Sequence, residues 1–94
     1  VGDGLAEGTQ MGPLANVRRR KAMGELTDDA LSRGARLVAG GEAGPGAGYF
    51  WRPTVVADVP RDARAFNEEP FGPLALIQTF DTIDEALAEA NRLP

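Results

Sequence analysis

Apolar positions change their spacing several times along this chain, and each change predicts an element. From Asn16 to about Arg33 they recur at Val17, Met23, Leu26, Ala30 and Leu31. That three-to-four spacing predicts a helix with one stripe free to pack on a sheet. Asn16 suits the N-cap, and Gly34 stands where a left-handed C-cap is wanted. Gly24 inside the helix costs about 1 kcal/mol relative to Ala. Arg36 to Ala39 then reads as a short buried strand. Tyr49 to Val56 is aromatic and β-branched and reads as another strand. Pro53 within it argues for a sheet edge or a bend. Phe50 and Trp51 point to opposite faces, so at least one should be buried. Leu74 to Phe80 is nearly continuous and apolar, the pattern of a strand covered on both faces. Thr82-Ile83-Asp84-Glu85 is a capping box, and the helix it opens carries Ile83, Ala86, Leu87 and Ala90 on one side.

The connections are equally readable. Residues 1–13 carry Gly2, Gly4, Gly8, Gly12 and Pro13 and predict a loop. Gly40 to Gly48 holds five glycines and Pro45, a flexible surface connection between strands. Asp58 to Phe66 is polar and irregular, with room for one helical turn. Together the elements predict an α/β layered segment. Helices 14–33 and 83–92 should pack on a sheet made from 36–39, 49–57 and 74–80.

Composition narrows the chemistry. Ninety-four residues make at most one domain. A hydrophobic content of 43% argues against disorder throughout. With no Cys and no His, disulfides, thiolate metal sites and the usual neutral-pH base are excluded. No apolar run has membrane-spanning length, and Val1 does not open a signal peptide. A cytoplasmic origin is the expectation. Fourteen acidic against ten basic residues give a net charge of −4, which disfavours nucleic acid as a partner. The one basic cluster, Arg18-Arg19-Arg20-Lys21, reads as a solvated helix face because no aromatic residues interleave it. Gly2 and Gly4 lack the spacing of a phosphate-binding loop and follow no strand.

Candidate chemistry concentrates in Glu68-Glu69-Pro70-Phe71-Gly72-Pro73. Pro70 fixes its own φ and pushes Glu69 towards extended backbone; Pro73 does the same to Gly72. A stiff turn therefore presents a carboxylate and an aromatic ring two residues apart. That pairing suits a diol beside a flat ring, as in a nucleoside. The residues alone leave a second reading open, a solvated turn between two elements.

Four segments in order carry a resemblance over nearly the whole chain. They are Gly8-Thr9-Gln10-Met11-Gly12-Pro13-Leu14, the helix end Gly34-Ala35-Arg36-Leu37-Val38-Ala39-Gly40-Gly41, the run from Gly48-Tyr49-Phe50-Trp51 through Val59, and Glu68-Glu69-Pro70-Phe71-Gly72-Pro73 leading into Leu74-Ala75-Leu76-Ile77. In these the chain resembles the aldehyde dehydrogenase superfamily. The resemblance implies a fragment, residues 1–94, of the C-terminal part of a catalytic domain, from a parent several times longer. That parent oxidises an aldehyde to a carboxylic acid with NAD or NADP, is a homo-oligomer, and binds neither nucleic acid nor membrane. Glu69 would accept hydrogen bonds from both hydroxyls of the nicotinamide ribose, and Phe71 would lie against the nicotinamide end of the cofactor. Glu68 is the neighbour that the family does not use in this way. No catalytic residue and no metal ligand is expected here, because the family's nucleophilic Cys, base Glu and oxyanion Asn would lie upstream of Val1. Two other readings stay open: a non-catalytic small α/β domain of the same ancestry serving in assembly or binding, and an unrelated α/β binding module.

Overall fold

A computed structural model describes residues 1–44 and 48–93. The middle of the glycine-rich connection, residues 45–47, lies outside the described residues. Helix α1 spans Val17–Ser32. Strand β1 is Arg36–Ala39, β2 is Thr54–Ala57, and the short helix α2 is Arg64–Asn67. Strand β3 is Leu74–Ile77 and helix α3 is Ile83–Ala90. The sheet order is β1-β2-β3, with β1 antiparallel and β3 parallel to the central β2. The α/β segment read from the sequence is the one observed.

Capping chemistry sets the helix ends. The Asn16 side chain accepts from the Arg19 amide at 3.0 Å, which starts α1 after Asn16 rather than at residue 14. Gly34, with φ of 105°, closes it. Thr82 accepts from the Glu85 amide at 3.1 Å and starts α3. Glu85 answers at the amide of Asp81 rather than of Thr82.

Strand lengths shrink where backbone pairing is interrupted. The predicted strand from residue 49 survives only as Thr54–Ala57. Pro53 marks the break, and the edge alternative does not hold, since β2 is central in the sheet. Upstream of it Trp51 makes a lone bridge to Ala43. Its indole is buried and donates to Thr54 Oγ1 at 3.0 Å. The Thr54 hydroxyl also accepts from the Gly41 amide at 2.9 Å and donates to Arg52 O at 2.8 Å.

Burial departs from the sequence pattern at three elements. The core comprises two neighbouring clusters. One is Met23, Leu26, Trp51 and Ala65; the other is Ala30, Val56, Val59 and Ala63. Leu74 and Leu76 of β3 touch both. Strand β1, expected to be buried, is an edge strand exposed at all four positions. Strand β3 is covered on one face only: Leu74 and Leu76 are half-buried while Ala75 and Ile77 are exposed. Helix α3 was expected to pack its stripe on the sheet, yet it buries no residue; Ile83 is 66% and Leu87 55% exposed. Polar tethers hold it instead. Arg61 reaches Glu85 at 3.1 Å, and Arg92 donates to Asn67 Oδ1 at 2.7 Å.

Candidate functional site

The turn 68–73 leaves the end of α2 and enters β3. Ala63 provides no side-chain cap for α2. Its first amide, that of Arg64, donates instead to Asp29 Oδ2 of α1 at 2.8 Å. Asp29 also accepts from Arg33 Nε at 3.0 Å. The Arg64 amide, followed by the Arg33 guanidinium, holds the Asp29 carboxyl below its ordinary value. Docked this way, α2 delivers the turn beside α1.

The two adjacent carboxylates have different fates. Glu68 is grasped at two points by Arg64, Nε to Oε2 at 2.8 Å and Nη2 to Oε1 at 3.2 Å. That hydrogen-bonded contact keeps the Glu68 carboxyl below its ordinary value. Glu69 is exposed and has no hydrogen-bond or ion-pair partner among the described residues. Both line a shallow groove of about 290 Å³ between α1 and α2, which also takes in Arg18, Arg19 and Lys21.

Beyond Glu69 the turn is held from two sides. Pro70 O accepts from Arg19 Nη1 at 3.2 Å. Phe71 sits in the left-handed region at φ of 48°, and the residue is 67% exposed. The Arg19 guanidinium stands 5.9 Å from that ring's centroid. A Cβ on Gly72 would fall 2.6 Å from Met23 Sδ, so this backbone lies against α1 and any side chain here would force Met23 to shift. On the other side Pro73 O accepts from the Thr54 amide at 2.8 Å, which joins the turn to β2.

The sequence profile of the aldehyde dehydrogenase family matches residues 1–94. This chain belongs to that family. It is 51% identical over its full length to the 4-(hydroxymethyl)benzenesulfonate dehydrogenase TsaD1 of Comamonas testosteroni, of which it covers 19%. To the NADP(+) succinate-semialdehyde dehydrogenase GabD of Escherichia coli it is 42% identical over 97% of its length, again covering 19% of the relative. Among solved structures, succinate-semialdehyde dehydrogenase from Burkholderia pseudomallei superposes with a TM-score of 0.95 at 36% identity, over 99% of this chain and 19% of that one. An NAD+ complex of aldehyde dehydrogenase from Bacillus cereus gives 0.91 at 35%, over 98% and 19%. The chain thus spans about a fifth of the length of the relatives it matches.

Against this aldehyde dehydrogenase frame, the two residues singled out from the sequence, Glu69 and Phe71, share one turn and both face solvent. The basic cluster on α1 does more than meet water. Arg19 holds Pro70, and Arg20 Nη1 donates to Gly48 O at 2.6 Å. Composition and helical period gave no hint of either contact, since the partners lie far along the chain. No group of three or more metal-ligating side chains occurs among the described residues. Among them, too, no helix is long and apolar enough to cross a membrane.

Proposed function

We propose that this chain is part of the catalytic domain of an NAD(P)-dependent aldehyde dehydrogenase, and that its turn at Glu69 and Phe71 orients the nicotinamide ribose. The observation that carries this is the contrast between neighbours: Glu68 is occupied by Arg64, whereas Glu69 presents a free carboxylate on a turn pinned to α1 and β2. A carboxylate offers two acceptor oxygens, which suit the two hydroxyls of a ribose. The exposed Phe71 ring beside it fits a flat heterocycle. When bound, the nicotinamide accepts the hydride that leaves the aldehyde carbon. Relatives that use NADP and that bind NAD+ support either cofactor for the parent.

The chain's own residues do orienting work. Glu69 fixes the ribose, Phe71 limits the tilt of the ring, and the fraction of time the cofactor points at its substrate rises accordingly. The sequence has no Cys, so the thiolate that the family's chemistry needs comes from the rest of the parent protein.

The test is single-turnover NADH formation at saturating NAD, beside a cofactor-binding titration, in the full-length protein. Glu69→Gln keeps the shape but leaves one acceptor oxygen, and its hydride transfer should slow about tenfold to a hundredfold while cofactor affinity changes little. An unchanged rate would rule out the orienting role. An equal loss in Glu68→Gln would show that the wrong carboxylate has been chosen.

A further inference from the structure

Granting Glu69 its ribose contact, we propose that Arg19 is a positioning residue, which holds the Glu69–Phe71 turn in the conformation that meets the cofactor. Phe71 has φ of 48°, a region that a bulky side chain enters only when its surroundings force it. The peptide plane that fixes this φ runs from the Pro70 carbonyl to the Phe71 amide. Arg19 Nη1 donates to that carbonyl at 3.2 Å, and so restrains the rotation directly. The same guanidinium stands over the Phe71 ring, 5.9 Å from its centroid, and restrains the side chain. One helical turn further along α1, Met23 meets Gly72 on the far side of Phe71. The strained residue is therefore flanked by two contacts from one face of one helix. Met23 supplies bulk, whereas Arg19 supplies the polar contact that selects the peptide orientation.

Without the guanidinium, Phe71 relaxes towards negative φ. The carboxylate two residues earlier then swings away from its aligned position. Arg19 touches neither cofactor nor substrate in this scheme; its effect passes through the turn.

The experiment uses the full-length protein with Arg19→Met, which keeps the apolar stem, and Arg19→Lys, which keeps the charge and a donor. Glu69→Gln runs in parallel. Single-turnover hydride transfer in Arg19→Met should fall about threefold to tenfold, with Arg19→Lys between it and the wild type. NAD affinity and melting temperature should stay close to wild type in both. A wild-type rate in Arg19→Met beside a slow Glu69→Gln would overturn the positioning role and leave the ribose contact standing. Wild-type rates in all variants would overturn both. A slow Arg19→Met whose affinity and melting temperature fall in step would show general structural damage, and would overturn the positioning role too.

Discussion

At the scale of single residues, the turn depends on atoms the sequence does not bring together. Gly72 reads from the sequence as a turn-shaper beside Pro73. The constraint on it comes instead from Met23, whose sulfur would lie 2.6 Å from a Cβ added there. Gly72→Ala should cost about 1–3 kcal/mol through overpacking. Shortening Met23 at the same time should return part of that loss, so the double variant should lose less stability in urea than the two single losses add up to. Strict additivity would refute the clash. Thr54 is a second such residue. Its buried hydroxyl satisfies the Trp51 indole, the Gly41 amide and the Arg52 carbonyl together. Thr54→Val strands two donors and should lower stability by about 1–3 kcal/mol, with red-shifted Trp51 fluorescence if the indole turns to water. Neither the glycine's neighbour nor the threonine's three partners could be read from spacing.

At the scale of elements, period and capping were legible and partnership was not. Asn16, Gly34 and Thr82 mark the ends of α1 and the start of α3 as their chemistry requires. The apolar stripes on α1 and α3 look alike in sequence, yet α1 buries Met23, Leu26 and Ala30 of its stripe while α3 buries none. A stripe specifies a face to be covered, not what covers it. Pairing by charge across elements was equally hidden. Asp29 of α1 caps α2 from outside, and the Arg64 amide lowers its pKa from the ordinary 3.8. A depressed carboxyl stabilises the fold fully at pH well above that value. Its contribution is lost as pH falls through the lower folded-state value, when the proton it then binds weakens the cap. Asp29→Asn should therefore be less stable than wild type near pH 7, and the gap should close on acidification below pH 4. Melting curves of the two proteins from neutral pH to about pH 3 check this. A gap that stays constant or widens in acid would mean that the charge on Asp29 does not hold α2.

At the scale of the whole molecule, the family was legible because four motifs stand in order, whereas the true extent of the core was not. The radius of gyration is 14.7 Å, against about 12 Å for a self-contained domain of this length. Strand β3, the connection after it and the stripe of α3 expose Ile77 at 50%, Phe80 at 53%, Ile83 at 66% and Leu87 at 55%. The run Leu74 to Phe80 was composed for cover on two faces and receives it on one. On the proposed function, a turn that orients a cofactor in a chain with neither Cys nor His is one part of a reaction centre. Aldehyde oxidation also needs a nucleophile to add to the carbonyl and donors to stabilise the oxyanion. The isolated 94 residues should therefore show no dehydrogenase activity. Purified chain incubated with NAD or NADP and a panel of aldehydes should give no reduced cofactor above a protein-free blank. A saturable signal proportional to chain concentration would show that these residues carry chemistry of their own, and would displace the orienting role from the centre of the account.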